Sequence, residues 1–157
     1  MKKIFTDKVK LKTMSYQDVK AYVTHLLTFQ VMICRFCEIC ISPKDPFEHY
    51  KRHHTAKKDH YVPMKARHKI AEYMITLDLC QSADVNCPDA RVPELKIIKD
   101  GFKCKFPECN GCATSEQSMR QHYYVHQKQI LRDFKNWKPT ALQTFFDGRN
   151  KKYINSI

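Results

Sequence analysis

The amino-acid sequence predicts a small α+β domain in which helices surround two Cys2His2-type metal sites, with short hairpins and a closing C-terminal β-hairpin. Three observations lead to this fold class. Pairs of cysteines are twice followed by two histidines at ligand spacing, apolar residues recur at helical intervals, and β-prone runs flank turn residues towards the C-terminus. We assign residues 15–157 to this single domain, with a basic, flexible arm at residues 1–14.

The composition indicates a folded chain with a large excess of positive charge. Hydrophobic residues make up 43% of the 157 positions, and 28 Lys and Arg oppose 16 Asp and Glu, for a net charge of +12. Such an excess favours anionic partners, with nucleic acid first and acidic proteins second. No apolar run reaches the ~18 residues that a membrane span requires, so we expect no membrane partner.

Cysteine and histidine are unusually abundant, at eight residues each. The start of the chain turns polar after Ile4 and Phe5, and we therefore expect no secretory signal and no oxidising compartment. Under reducing conditions, paired cysteines accompanied by histidines at ligand spacing are metal ligands rather than disulfides.

The first element is predicted to be an amphipathic helix that starts at Ser15. Ser15 and Asp18 have the spacing of a capping box, and apolar residues follow at helical intervals up to Leu27. Residues 29–33 are β-prone and should lead as a strand into Cys34.

The first metal site is predicted within residues 34–54. Two cysteines separated by two residues are followed by a helix, starting near Pro46, that carries the histidines. The predicted ligands are Cys34, Cys37, His49 and His54. His53 could take the place of His54, and Cys40 is a third candidate thiol.

The next segment is predicted to form a helix and a loop. The helix begins near Pro63, and its buried stripe consists of Ile70, Tyr73, Met74 and Leu77. Residues 80–93 form the loop, in which Cys80 and Cys87 are expected to be buried thiols without a catalytic role.

The second metal site follows a predicted hairpin. Residues 94–99 form a strand, Asp100-Gly101 a tight turn, and a return strand leads into Cys104. A helix from Thr114 to about residue 134 then presents two imidazoles one turn apart. The predicted ligands are Cys104, Cys109, His122 and His126, whose spacing matches a Cys2His2 site without adjustment.

The second site has an alternative thiol ligand and lacks the aromatic residue that is usual in a finger core. Cys112 is an alternative partner for Cys109, although it leaves a shorter spacing to the first histidine. Met119 supplies the apolar plug of a finger, but Ala113 or Cys112 stands where an aromatic residue is usual. We therefore expect its small core to depend on the rest of the domain.

The last predicted element is a hairpin with two β-prone arms, residues 142–146 and 152–154, around Asp147-Gly148-Arg149-Asn150.

Sites of two thiolates and two imidazoles are characteristic of structural zinc, so we expect two zinc ions. Such zinc contributes about 10–16 kcal/mol in finger peptides, which exceeds the ~5–15 kcal/mol net stability of an ordinary domain. Metal removal should therefore unfold at least part of the protein.

Three blocks of the sequence carry a family resemblance. They are residues 33–54, residues 101–126, and residues 137–154 with Trp137 and Gln143-Thr144-Phe145-Phe146. Together, over about residues 28–155, they resemble the fungal OrsD-like C2H2 zinc-finger region, named for a protein encoded in an orsellinic acid biosynthesis cluster. Pro46 departs from the family pattern, which usually has an aliphatic residue three positions before the first histidine. The resemblance implies nucleic-acid handling, because members occur alone and beside helicase-like or mobile-element proteins.

Charge, finger spacing and resemblance together predict a zinc-dependent module that binds nucleic acid, DNA before RNA, in the nucleus. If the helix of the second metal site enters the major groove, Ser118 and Gln121 occupy base-reading positions, together with Ser115. The residues expected to contact phosphates are Lys51, Arg52, Lys57, Lys58, Arg120 and Lys128.

A protein-interaction module is the alternative function. Its basic surface would meet an acidic protein, or residues 143–146 would offer a strand edge for β-augmentation. We expect no enzymatic activity. The His-x-Glu and Pro-Cys-x-x-Cys motifs of zinc deaminases are missing, and four protein ligands leave no coordination position for a reacting water.

Overall fold

The computed structural model of the protein describes residues 15–56, 58–126, 136–148 and 151–155. The basic arm at residues 1–14, Lys57, Lys128 and the predicted helix beyond His126 lie outside these ranges. Within them the chain forms three α-helices and two antiparallel sheets, which confirms the predicted α+β class. None of these helices is long and apolar enough to cross a membrane.

Three strands form the first sheet, in the order β1-β2-β3. They are β1 (Val23–Leu26), β2 (Val31–Cys34) and β3 (Cys40–Ile41). The central strand β2 is buried along its whole length, and its alternate residues enter two different core clusters. Met32 and Cys34 belong to the first cluster, whereas Val31 and Ile33 belong to the second, as the two-residue period of a strand requires.

The helix predicted from Ser15 to Leu27 is wrong. Its capping box is present, with the Ser15 N–H 3.0 Å from the Asp18 carboxylate, but the box starts only a single 3-10 turn, Tyr16–Asp18. The chain then forms β1, which pairs with β2 over its full length. Backbone pairing with β2 outweighs the helical spacing of the apolar residues, because β-branched residues in β1 suit a strand.

Two helices, α1 (Pro46–His53) and α2 (Met64–Ile75), pack against each other and against the first sheet. Asp45 caps α1 by accepting a hydrogen bond from the Glu48 N–H at 3.1 Å. α2 begins directly after Pro63, as predicted. Most of its predicted stripe is buried, and Leu77 packs half-buried just beyond the helix end.

Four strands form the second sheet, in the order β5-β4-β6-β7. They are β4 (Ile98–Cys104), β5 (Cys112–Ala113), β6 (Trp137–Thr144) and β7 (Tyr153–Asn155). The antiparallel pair of β6 and β7 confirms the predicted C-terminal hairpin, although β6 begins at Trp137 rather than Leu142.

The tight turn predicted at Asp100-Gly101 is wrong, because β4 continues through both residues. Its pairing with β6 is irregular between Ile98 and Gly101. A Cβ on Gly101 would lie 2.5 Å from Leu142 Cδ1 and 2.9 Å from the Thr140 carbonyl oxygen. The glycine therefore marks a close approach of two strands rather than a turn.

The last helix, α3 (Glu116–Tyr124), begins later than the predicted Thr114. Residues 112–113 are held extended by pairing with β4, so the chain becomes helical only after them. Ser115 is the capping residue, and its hydroxyl accepts a hydrogen bond from the Ser118 N–H at 3.1 Å.

Residues 80–93 contain no helix or strand, as predicted. This loop covers the second core cluster, to which it contributes Val85 and Val92, while β7 contributes Ile154. The second cluster therefore joins the two sheets through apolar side chains from β2, the loop and the C-terminal hairpin.

Candidate metal centres

The first candidate centre lies where β2 ends against α1. Cys34 closes β2, Cys37 lies in the following turn, His49 projects from α1, and His54 is the residue directly after that helix. Their ligand atoms all lie within 4.8 Å of one another. The Sγ–Nε2 distances are 3.3 Å for Cys34 to His54, 3.4 Å for Cys37 to His49 and 3.5 Å for Cys37 to His54.

These distances fit a tetrahedral zinc site. Zinc bound to sulfur at about 2.3 Å and to nitrogen at about 2.0 Å separates neighbouring ligand atoms by about 3.3–3.8 Å. Three of the thiol–imidazole distances in this cluster fall in or just beside that range, without any rearrangement of the side chains. The four residues could therefore hold one zinc ion, which would join the end of β2 to α1.

Backbone contacts orient the ligands of this centre. The Nδ1 of His54 lies 2.9 Å from the carbonyl oxygen of His60, so Nδ1 carries the proton and the Nε2 lone pair faces the thiols. Glu38 adopts a left-handed backbone conformation (φ 54°) and donates its N–H to the Cys34 carbonyl at 2.9 Å. This sharp turn brings Cys37 back beside Cys34.

The two thiols of the first centre titrate as a pair. A hydrogen bond from the Cys37 thiol holds the pKa of Cys34 far below the ordinary cysteine range. The same hydrogen bond raises the pKa of Cys37 above that range. The metal-free pair therefore retains one shared proton, and zinc would bind by displacing it.

The second candidate centre lies between β4 and α3. Cys104 ends β4, Cys109 lies in the loop before β5, His122 projects from α3 and His126 follows that helix. His122 Nε2 lies 3.2 Å from Cys109 Sγ and 3.3 Å from His126 Nε2. At this distance the two ring nitrogens can share one proton or, when both are unprotonated, can bind one cation between them. This set could hold a second zinc ion.

Backbone N–H groups support both thiols of the second centre. The Phe106 N–H points to Cys104 Sγ at 3.5 Å, and the Gly111 N–H points to Cys109 Sγ at 3.3 Å. Burial raises the pKa of Cys104, because removal from water disfavours the charged thiolate. These N–H donors favour the thiolate forms that a bound zinc requires.

Gly111 is a functional residue that sequence reasoning missed. A Cβ at this position would lie 2.2 Å from both Cε1 and Nε2 of His122. The absence of a side chain therefore lets the imidazole reach the thiols. The available signal was its position two residues after Cys109 in a chain with only three glycines.

The small core of the second centre does depend on the rest of the domain. Met119 is fully buried beside Ala113, as the finger pattern predicts. The missing aromatic is replaced by Phe102, by Phe106, whose ring stacks on His126 at 4.5 Å, and by Trp137 from β6. Trp137 also contacts Tyr123 edge-on at 5.9 Å, so a distant strand completes this core.

Comparison with known proteins agrees with this geometry. The family model described as orsellinic acid/F9775 biosynthesis cluster protein D matches residues 21–128. The chain belongs to this family. The matched segment contains both metal-ligand sets, whereas the block from Trp137 onward lies beyond it. No curated protein and no solved structure matches the chain.

The alternative ligands lie outside both metal sets of this OrsD-family domain. His53 Nε2 points to the Asp147 carboxylate at 3.8 Å, and Cys40 is buried in the second core cluster. Cys112 is half-buried on β5, opposite Lys103. Each set therefore consists of the four residues whose spacing predicted it.

The remaining thiols, Cys80 and Cys87, are half-buried against the second core cluster. Cys80 Sγ lies 3.5 Å from Gln30 Oε1, and burial raises the pKa of Cys87. Neither thiol joins a metal set among the described residues of the OrsD-family domain.

The residues predicted to bind nucleic acid fall on two surfaces of this OrsD-family domain. Those near the first centre are Lys51, Arg52 and Lys58, and those on α3 are Ser118, Arg120 and Gln121; all six are exposed. Arg52 pairs with Glu48 at 2.7 Å, and Arg120 pairs with Glu116 at 3.6 Å, each one helical turn away. Lys57 and Lys128 lie outside the described residues.

Proposed function

We propose that this chain is a zinc-dependent nucleic-acid-binding module, that DNA is its preferred nucleic acid, and that it acts in the nucleus. The observation that carries the proposal is the start of α3. The helix begins at Glu116, so His122 is its seventh residue, and Ser118 and Gln121 occupy its third and sixth positions. In Cys2His2 fingers the side chains at these positions contact bases. Both are exposed on α3.

Charge around α3 supports the same function. The exposed basic residues Lys105, Arg120 and Lys138 lie on the elements that build the second centre. The ion pair between Arg120 and Glu116 is exposed, with 62% and 46% of the two side chains accessible, and contributes little to stability. Arg120 can therefore exchange Glu116 for a phosphate at small cost.

We expect the module to bind DNA mainly through phosphate contacts, with modest sequence specificity. Phosphate contacts position a protein on DNA without reading its sequence, and a single finger reads about three base pairs. Gln121 suits adenine, because its amide can donate to N7 and accept from N6. At the other predicted base-reading position, the Ser115 hydroxyl caps the helix and donates to the Ser118 hydroxyl at 2.9 Å, so Gln121 carries most of the readout.

The proposed role of the zinc is to stabilise a binding module rather than to catalyse a reaction. Two thiolates and two imidazoles complete a tetrahedral zinc site, so a substrate or water would find no open position.

An acidic protein is the competing partner. The strand edge suggested for β-augmentation is wrong, because residues 143–144 pair with β7 and the Phe145 carbonyl accepts a hydrogen bond from the Cys40 N–H at 2.7 Å.

The test is a titration of the two-zinc protein with labelled duplex and single-stranded oligonucleotides at several salt concentrations. We expect duplex binding whose log affinity falls with log salt by about 0.9 per phosphate contacted. Arg120→Ala should reduce that slope by about one. Lys99→Ala is the matched control, because Lys99 is exposed near the start of β4, whereas Cys104 lies at the other end of that strand.

Two results would overturn the proposal. The first is a folded, two-zinc protein that binds neither duplex nor single strand at low salt. The second is an equal loss of DNA affinity in the Arg120 and Lys99 variants, which would mean that binding is a non-specific attraction by net charge. Either result would move the search to acidic protein partners.

A further inference from the structure

A second basic surface lies away from α3, beside the start of α2. A groove of about 340 Å³ is lined by Asp18, Tyr22, Pro63, Lys65, Ala66 and Lys69. Lys65 and Lys69 are one helical turn apart, and neither forms an ion pair within the described part of the chain. The Asp18 carboxylate accepts hydrogen bonds from the N–H and hydroxyl of Ser15, at 3.0 and 2.9 Å. The lining of the groove therefore carries a net positive charge, from two lysines and one carboxylate.

Aromatic rings continue from this groove across the surface. Tyr22 meets Phe36 edge-on at 6.3 Å, and the Phe36 ring stacks on the exposed His60 ring at 5.1 Å with an interplanar angle of 7°. The adjacent Tyr61 side chain is 52% exposed. We call the exposed pair His60 and Tyr61 the aromatic platform.

Rigid groups hold the platform in place. The Arg67 guanidinium lies 5.7 Å from the Tyr61 ring centroid and donates hydrogen bonds to the backbone carbonyls of Val62 and His54, both at 2.8 Å. The His60 carbonyl receives the Nδ1–H of His54, a ligand of the first metal set. The platform is thus ordered before any partner arrives, which reduces the entropy lost on binding.

Further positive charge lies on the Tyr22 side of the groove. Arg35 donates a hydrogen bond to the Lys20 carbonyl at 2.8 Å, and its N–H donates to the Tyr22 carbonyl at 2.9 Å. Lys20 and Arg35 are both exposed. An acidic peptide would use these cations but would leave the aromatic platform unused. A single nucleic-acid strand uses both, because its phosphates pair with cations while its unpaired bases stack on exposed rings.

We propose that this groove and the aromatic platform bind single-stranded nucleic acid, with phosphates at Lys65 and Lys69 and bases stacked on His60 and Tyr61. The inference rests on the proposed nucleic-acid function and adds a second, strand-selective surface to α3. Because the His60 carbonyl is tied to His54, zinc at the first centre positions this surface. Single-stranded DNA and RNA share the required chemistry.

The test measures fluorescence anisotropy of the two-zinc full chain with a 12-nucleotide DNA strand, the RNA strand of the same sequence, and a 20-base-pair duplex. Tyr61→Ala should weaken binding of a strand about 5-fold or more, the loss expected for one stacked base, and leave duplex binding unchanged. Tyr61→Phe keeps the ring and should bind like the original protein. The double variant Lys65→Ala/Lys69→Ala should lower the salt slope for the strand by about 1.4, at ~0.7 per phosphate on single strands.

Each outcome has a separate meaning. Strand binding that is unchanged in both Tyr61→Ala and the double lysine variant overturns this inference, as does equal weakening of strand and duplex. Absence of any binding by the original protein overturns the proposed function itself. Zinc content is measured for every variant, and two zinc ions per chain confirm that a loss of binding is not a loss of fold. The DNA and RNA arms then identify which strand the surface prefers.

Discussion

Gln143 and Val92, 51 residues apart in the chain, are joined by two hydrogen bonds between a buried side-chain amide and one backbone unit. The Val92 N–H donates to Gln143 Oε1 at 2.9 Å, and Gln143 Nε2 donates to the Val92 carbonyl at 2.8 Å. Nε2 also donates to the Leu95 carbonyl at 2.6 Å. A single fully buried side chain therefore satisfies three backbone groups, two at Val92 in the loop that covers the second core cluster and one at Leu95 just beyond that loop.

Replacing Gln143 by alanine should be strongly destabilising. It would leave one donor and two acceptors, at Val92 and Leu95, buried and unpaired, at about 1–3 kcal/mol for each group that water cannot reach. We expect the free energy of unfolding, measured by denaturant titration of the zinc-loaded protein, to fall by about 3 kcal/mol or more. Gln117→Ala, at an exposed position of α3, should change it by less than about 0.5 kcal/mol. Similar small effects of both variants would contradict the role of Gln143.

Gly111→Ala should selectively weaken the second metal site. The new methyl group would occupy space that the His122 ring fills, because a Cβ there lies 2.2 Å from ring atoms. Displacing one ligand should lower zinc affinity at this site about 10-fold or more, while the first site stays filled. Native mass spectrometry under limiting chelator should then find one zinc per chain. Asn110→Ala, at the exposed neighbour, should keep two zinc ions; loss of both metals from the glycine variant would count against a local effect.

The two metal sites should differ in their resistance to chelators. Cys34 and His54 are 0% and 2% exposed, whereas three of the four ligands at the second site are only half-buried. A competing chelator should therefore remove the second zinc first, and circular dichroism should change little until the first zinc leaves. Variants His126→Ala and His49→Ala isolate the two sites. If the His126 variant unfolded more of the chain than the His49 variant, this order would be wrong.

Zinc binding at the second site should weaken as pH falls. Burial raises the pKa of Cys104, so the metal-free thiol keeps its proton at neutral pH and releases it when zinc binds. Burial lowers the pKa of His122, so its imidazole is neutral and ready to bind until the solution is more acidic than for an ordinary histidine. The log of the apparent zinc affinity should therefore fall by about one or more per pH unit below neutrality. Competition titrations of the original two-zinc protein, from which the second zinc should leave first, measure this slope, and a flat profile from pH 8 to 6 would contradict it.

The metal sites could be predicted from the sequence because each is built from local spacing. The ligands of each set lie within about one supersecondary unit, so the cysteine pair, the helix and the histidine interval are all visible in order. The C-terminal hairpin and α2 were predictable for the same reason. Local patterns are sufficient when the partner groups are close in the chain.

Non-local partners explain the predictions that failed. Residues 19–27 carry helical spacing, yet backbone pairing with β2 makes residues 23–26 a strand. Gly101 is typical of a turn, but its role is to let β4 approach Leu142, a residue far along the chain. The run from Gln143 to Phe146 belongs to a block typical of the family, whereas nothing in the sequence of the loop indicates that it pairs with Gln143. Aromatic support for the second site likewise comes from Trp137, beyond the finger itself.

The spacing of these contacts also has a consequence for synthesis on the ribosome. The thiol and imidazole contacts of the two metal sites span 20 residues between Cys34 and His54 and 13 between Cys109 and His122, whereas Gln143 reaches back 51 residues to Val92. Closing a short chain segment costs less entropy than closing a long one. The first metal site can therefore assemble on a growing chain before the codons for β6 are translated, whereas the core of the second waits for Trp137. A ribosome stalled near residue 130 would then carry a chain whose first zinc site is complete but whose two sheets are not yet joined by the β6–β7 hairpin.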